Sequence, residues 1–181
     1  MTLTSFIVPT YAQMLKALSG WLDKAQAQKP GTAADALLAA RLAPDMFPLA
    51  VQLRFICIQA QETIFRLTGE PVPATLDARD SDAYPGTIAE AKAQIDAALA
   101  ALGALPADAF DRHAQQPLAL ELPNGMAFDL TGEQYARDWA VPQFYFHLMA
   151  AYAILRNNGI DLGKPDYVPH MRGYIRQGVP A

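Results

Sequence analysis

The chain has 181 residues, of which 52% are hydrophobic and 18% charged, with a formal net charge of −4. That is ample apolar material for one real core. The acidic balance and the lack of any basic cluster exclude nucleic acid and anionic membrane surfaces as expected partners.

No basic stretch leads into a long apolar run at the start, so no signal peptide is read and a cytoplasmic protein is expected. Ile7, Tyr11, Met14, Leu15, Leu18, Trp21, Leu22 and Ala25 recur three and four apart. This predicts a first helix over residues 6–27 with one buried face. Pro9 then falls in the first turn, where its missing N–H costs nothing, and Lys29-Pro30-Gly31 stops the helix. Residues 33–41 suit a short connecting helix. A second helix is predicted over 45–68, with Asp45 as N-cap and Pro48 tolerated in the first turn. Its inward set is Met46, Ala50, Leu53, Cys57, Ile64 and Leu67, and Gly69 with Pro71 ends it. Cys57 is the only cysteine, which excludes an internal disulfide and a cysteine-built zinc site. In its apolar run it reads as a small buried hydrophobe. Arg54, in the same run, leaves two readings open: a side chain that snorkels to the edge, or one that holds an anion or a carboxylate.

Residues 70–86, rich in proline and acidic side chains, form a long polar connection. A third helix opens on Thr87-Ile88-Ala89-Glu90, a capping box, with Ile88, Ala91, Ile95, Ala98, Leu99 and Leu102 on its apolar face. Asn124-Gly125 between alternating segments predicts a β-hairpin within residues 117–130. It is expected to pack on the helices, because an isolated hairpin is marginal. A fourth helix is predicted over 132–157, capped by Thr131 with Gln134 and stopped by Asn157-Asn158-Gly159. The tail from residue 160 is expected to wrap the surface. The architecture so composed is all-α: an up-down four-helix bundle in one domain spanning 1–181, with a small β-hairpin between helices 3 and 4.

The fourth helix is apolar nearly all round from Trp139 to Leu155, with Gln143 and His147 its main polar side chains. Such a helix is buried on more than one side, at the centre of the fold or at a subunit interface, and a homodimer is expected. The segment is too short and too interrupted to span a membrane. Gln143 and His147 are four apart and share a face, and Pro142 predicts a kink just before them. His147 has three readings at this point. It is a hydrogen-bonded core residue, a metal ligand, or a pocket or catalytic histidine without metal. Tyr11, Trp139, Phe146 and Tyr152 either pack in the core or line a small pocket beside it. His113 and His170 fall in loops and are expected to be exposed.

Arg41-Leu-Ala-Pro-Asp-Met-Phe-Pro-Leu49 leads the second helix, and Phe144-Tyr-Phe-His147 lies in the fourth. Ala151-Tyr-Ala-Ile-Leu-Arg-Asn-Asn-Gly159 and Leu162-Gly-Lys-Pro-Asp-Tyr167 follow. Together these blocks resemble an uncharacterised bacterial family, a domain of unknown function in the DinB-like (YfiT-like) four-helix superfamily. The resemblance runs from the first helix to Tyr167. It implies a divalent-metal site of three histidines, one on helix 2 and an i, i+4 pair on helix 4, and some members are thiol-dependent transferases or hydrolases. By position His147 matches the second of the pair, Gln143 stands in place of the first, and Gln52 is the best match on helix 2.

One imidazole and two amides make a poor site for zinc or nickel. The expectation is a degenerate metal site beside a small buried ligand pocket, built from Gln52, Arg54, Gln143, His147, Tyr11 and Trp139, in a protein not clearly catalytic. The alternative is a metal-dependent transferase or hydrolase with His147 as a zinc or nickel ligand. No phosphate loop, nucleotide fingerprint or nucleophile motif is present.

Overall fold

The computed structural model describes residues 1–76, 84–122, 124–176 and 178. Four long helices, α1 (Leu3–Gln28), α2 (Leu49–Thr68), α3 (Ile88–Gly103) and α4 (Val141–Asn157), enclose a contiguous hydrophobic core. A two-stranded antiparallel hairpin, β1 (Pro117–Glu121) with β2 (Ala127–Thr131), stands between α3 and α4. The bundle with its hairpin is therefore the architecture that the apolar periodicities predict.

α1 starts three residues earlier than expected because Thr2 and Ser5 form a reciprocal capping box. Pro9 consequently sits inside the helix rather than in its first turn, and it lies on the exposed face. All eight positions predicted to be inward on α1 are buried. The start of α2 is a correction in the other direction. Asp45 lies in a turn and is exposed, and the N-cap is Pro48, whose ring leaves no side-chain cap. Proline disfavours helical backbone at the residue before it, so the helix cannot run through 45–47. The Pro48 carbonyl instead opens the ladder, accepting from the amides of Val51 at 3.0 Å and Gln52 at 3.1 Å. The amide of Leu49 bonds the carbonyl of Ala40, at the end of a short helical connection built from Thr32–Asp35 and Ala36–Ala39.

Helix directions follow from contacts across the bundle. Tyr11, early in α1, meets Thr63, late in α2, so those two helices are antiparallel. Lys92, early in α3, pairs with Asp23, late in α1, and the amide of Phe110 after α3 bonds the Thr4 hydroxyl. α3 is thus also antiparallel to α1, so α2 and α3 run the same way, a departure from the simple up-down order expected of the bundle. A parallel pair needs a long crossover between its members, and the chain from Gly69 to Thr87 supplies it. By Thr75 it has returned beside Arg54, near the start of α2. Residues 77–83 of that connection lie outside the described residues, as do Pro123 in the hairpin loop and residues 177 and 179–181 of the tail.

α2, not α4, is the helix buried all round. From Val51 to Ala60 only Phe55 is less than fully buried. Its polar residues Gln52, Arg54 and Gln59 hide that from a periodicity count. α4 by contrast leaves Phe146 64% and Met149 43% exposed.

The helical run into α4 begins at Gly132 after a capping box of Thr131 and Gln134. It passes through a π-helical stretch, Tyr135–Ala140, directly before Pro142. A wider turn is a recognised way to absorb the carbonyl that proline leaves without a donor. Gly132 itself is set by a close approach. A Cβ there would lie 2.4 Å from the carbonyl oxygen of His113, because the Gly132 and Glu133 amides bond the backbone of Gln116 and Ala114. Gly132→Ala is expected to lower stability by about 2–3 kcal/mol, as overpacking against backbone does. A urea midpoint equal to that of the native chain would show that the 111–116 turn yields freely.

The hairpin packs as expected, with Leu120 buried and Phe128 6.1 Å from the Trp139 ring. The first part of the tail also closes on the bundle. Ile160 and Leu162 are buried, and the Trp21 indole N–H donates to the Asp166 carbonyl at 2.8 Å.

Candidate functional site

α2 packs most extensively against α4, and the pair meets at two polar points. The first joins Gln52, one turn into α2, to His147 in the middle of α4. The Gln52 side chain spans two partners. Its Nε2 donates to the Phe47 carbonyl at 3.2 Å, so its Oε1 is left facing His147 Nδ1 at 2.8 Å. An amide oxygen only accepts, so Nδ1 must carry the imidazole proton. Nε2 is thereby the unprotonated nitrogen. It has no hydrogen-bond partner among the described residues, and it is not among the polar atoms sealed from solvent.

Aromatic rings enclose the imidazole. Phe55 stacks on it at 4.7 Å, Phe146 meets it edge-on at 5.2 Å, and Phe47 lies 5.6 Å beyond Phe55. Phe47 is 55% and Phe146 64% exposed, so the cluster reaches the surface, while His147 retains 8% exposure. Burial pushes the imidazole down to about 4, since neutral Gln52 offers no charge to hold a proton. At neutral pH this is an uncharged imidazole with one fixed donor and one free acceptor. So weak a base is poorly matched to proton transfer at pH 7.

The other predicted site residues lie elsewhere. Gln143 is half-buried one turn before His147, and among the described residues no hydrogen bond joins them. Arg54 is buried and donates from Nη2 to the Thr75 carbonyl at 2.8 Å, which ties it to the crossover rather than to His147. Tyr11 is fully buried, stacks on Phe144 at 4.4 Å and reaches the Thr63 hydroxyl at 3.4 Å. Trp139 faces the hairpin, and Tyr152 stands edge-on to Trp21 at 5.2 Å. Of the predicted aromatic set only Phe146 makes a ring contact with His147.

Sequence reasoning passes over Phe55 and Phe47. Phe55 is detectable as the i+3 neighbour of Gln52 on a helix. Phe47 carries no periodic signal, since it precedes the helix.

The second polar point lies deeper. Tyr11, Thr63 and Tyr135 converge where α1, α2 and the π-helical stretch meet, and Thr63 also donates to the Gln59 carbonyl at 2.6 Å. The Tyr135 hydroxyl, close to Thr63, and Gln59 Oε1 are sealed there with no partner of hydrogen-bond geometry among the described residues. Burial holds both tyrosines far above their usual value, so they stay protonated. Cys57 is likewise inert, its thiol pushed up to about 12 by burial. His113 and His170 are half-buried rather than exposed. His113 Nε2 accepts from Arg112, and His170 Nδ1 is sealed without a partner.

Two clefts, of about 470 and 400 Å³, lie at the end of the bundle where α1 begins, away from His147. The larger is bordered by Phe6, Asp111, Glu133 and Arg137, whose charges are already occupied by Thr4, Gln115 and Asp138.

A resident zinc or nickel ion does not fit the residues present at Gln52 and His147. Gln52 Oε1 is bonded to Nδ1, and among the described residues no three His, Cys, Asp or Glu side chains converge. Nor is any described helix long and apolar enough to cross a membrane.

The model of a domain of unknown function, DUF1993, matches residues 3–168. A crystal structure of a DinB family member protein from Shewanella denitrificans is similar over 96% of this chain and 92% of that one, with 32% identity and a TM-score of 0.74. No curated protein matches the chain.

Proposed function

We propose, for a chain that belongs to the DUF1993 family and is built as a DinB-like helical bundle, that the Gln52–His147 point is a small-molecule site left where relatives of the superfamily fold hold metal. The observation that carries this is the hydrogen bond from His147 Nδ1 to Gln52 Oε1. It turns the helix 2 position from a ligand into a support for the imidazole. A supported imidazole with a free Nε2 is a hydrogen-bond acceptor set among aromatic rings, the usual composition of a ligand pocket. Its weak basicity argues against a catalytic acid–base role. In this reading the protein is cytoplasmic and not clearly catalytic. It is also a homodimer.

Metal analysis of protein purified from zinc- and nickel-supplemented cultures is the test. Substoichiometric metal, unchanged by His147→Ala, is expected. One equivalent that disappears with that substitution would establish the alternative, a metal-dependent transferase or hydrolase with His147 as ligand. Sedimentation at monomer mass would remove the dimer from the reading.

A further inference from the structure

The geometry points to a definite ligand class for the Gln52–His147 site: a planar, uncharged aromatic molecule that donates one hydrogen bond, of the phenol type, to His147 Nε2. This rests on reading that point as a ligand site.

Three features of the site set the class. The hydrogen-bonding sense is fixed by a relay two residues long. The Phe47 carbonyl can only accept, so Gln52 Nε2 must donate to it; Gln52 Oε1 then faces Nδ1, which must be the protonated nitrogen. Nε2 is therefore an acceptor and nothing else, and a ligand without an N–H or O–H leaves it unpaired.

The charge requirement follows from the neighbours. Phe55 and Phe146 pack on the imidazole with Phe47 beyond Phe55, and the buried cation on this stretch of α2, Arg54, is bonded to the Thr75 carbonyl. Among the described residues no charged side chain is bonded to the imidazole, so an anion would lose hydration without a paired counter-charge.

The shape comes from the two exposed rings. Phe146 and Phe47 are 64% and 55% exposed beside a histidine that is nearly buried. A flat apolar ring laid against Phe146, which meets the imidazole edge-on at 5.2 Å, covers aromatic surface while its hydroxyl reaches the imidazole edge, and stacked or edge-on contacts favour an aromatic occupant.

Three probes separate the requirements in the full chain: phenol, anisole and benzoate, titrated while the imidazole nitrogens of His147 are followed by NMR. Phenol is expected to bind about tenfold more tightly than anisole, the worth of one hydrogen bond to a desolvated acceptor, and to move the Nε2 resonance. Benzoate is expected to bind less tightly than phenol. His147→Ala should bring phenol and anisole level. Gln52→Ala keeps the imidazole but frees its tautomer, and should narrow the gap without closing it.

Equal binding of phenol and anisole by the native chain, a preference for benzoate, no binding of phenol at all, or discrimination that survives His147→Ala each overturns the proposal. The metal content decides the reading beneath it separately. A chain that carries stoichiometric zinc or nickel on His147 fails that reading, whereas a metal-free chain indifferent to phenol fails only the ligand class.

Discussion

Trp21→Ala is expected to lower stability by about 4 kcal/mol, near the top of the range for a single truncation in a core. Trp21 is 1% exposed and anchors three parts of the fold at once. Tyr152 of α4 stands edge-on to it, Tyr167 of the tail stacks on it at 5.9 Å, and its indole N–H holds the Asp166 carbonyl. Truncation leaves a large cavity, an unpaired carbonyl and a tail without its main apolar contact. Domains of this size are stable by only about 5–15 kcal/mol, so the variant would be folded but marginal. A urea midpoint lowered at constant slope would measure the loss. Hydrogen exchange should find the Lys164–Tyr167 turn freed before the rest of the bundle. Trp21→Phe keeps most of the ring and gives up the hydrogen bond, and should cost about 1–2 kcal/mol. A loss below about 3 kcal/mol in the alanine variant, the low end for such truncations, would mean that the tail is not part of the cooperative unit.

Acidification is the second large effect. The unfolded chain protonates His147 near 6.5, whereas the folded chain does so only near 4, because burial disfavours the cation. Between those two values the unfolded state binds more protons, and stability therefore rises with pH. The contribution is complete above pH 6.5 and gone below pH 4. Its size is on the order of 3 kcal/mol, because each tenfold difference in proton affinity between the two states is worth about 1.4 kcal/mol. Carboxylates act in a lower window. The Thr4 amide and hydroxyl hold Asp111 below its usual value, and Lys24 does the same for Asp166, so what they add is lost only as pH falls below about 3.8. The measurement is urea unfolding at pH 7.5, 5.5 and 4.5. His147→Phe keeps an apolar ring in place of the imidazole and is expected to flatten the curve between pH 6.5 and 4. Parallel curves for the native chain and this variant would show that His147 is not the residue that titrates.

These two residues also measure how legible the molecule is. Trp21 reads as an inward position of α1 because it fits a local spacing, and the structure buries it. Its partners Tyr152 and Tyr167 lie more than a hundred residues away and carry no sign of their role in the sequence. His147 stands out as a lone polar residue in an apolar helix, and only the family resemblance matches Gln52 to it. The bond between them crosses 95 residues of chain. The expected companions Tyr11 and Trp139 satisfy the same local rules as Phe55, yet they face Thr63 and the hairpin.

Local sequence suffices for the four helices, the Thr131–Gln134 cap and the hairpin, because each depends on groups within a few residues of one another. The start of α2 is misread for an equally local reason, the constraint that Pro48 imposes on the residue before it. It takes the packed bundle to establish that α2 and α3 run parallel, that α2 rather than α4 is buried all round, and which side chains share a site. Those outcomes depend on the rotation and axial offset of one helix against another. An apolar period specifies which face of a helix turns inward, but not what that face meets.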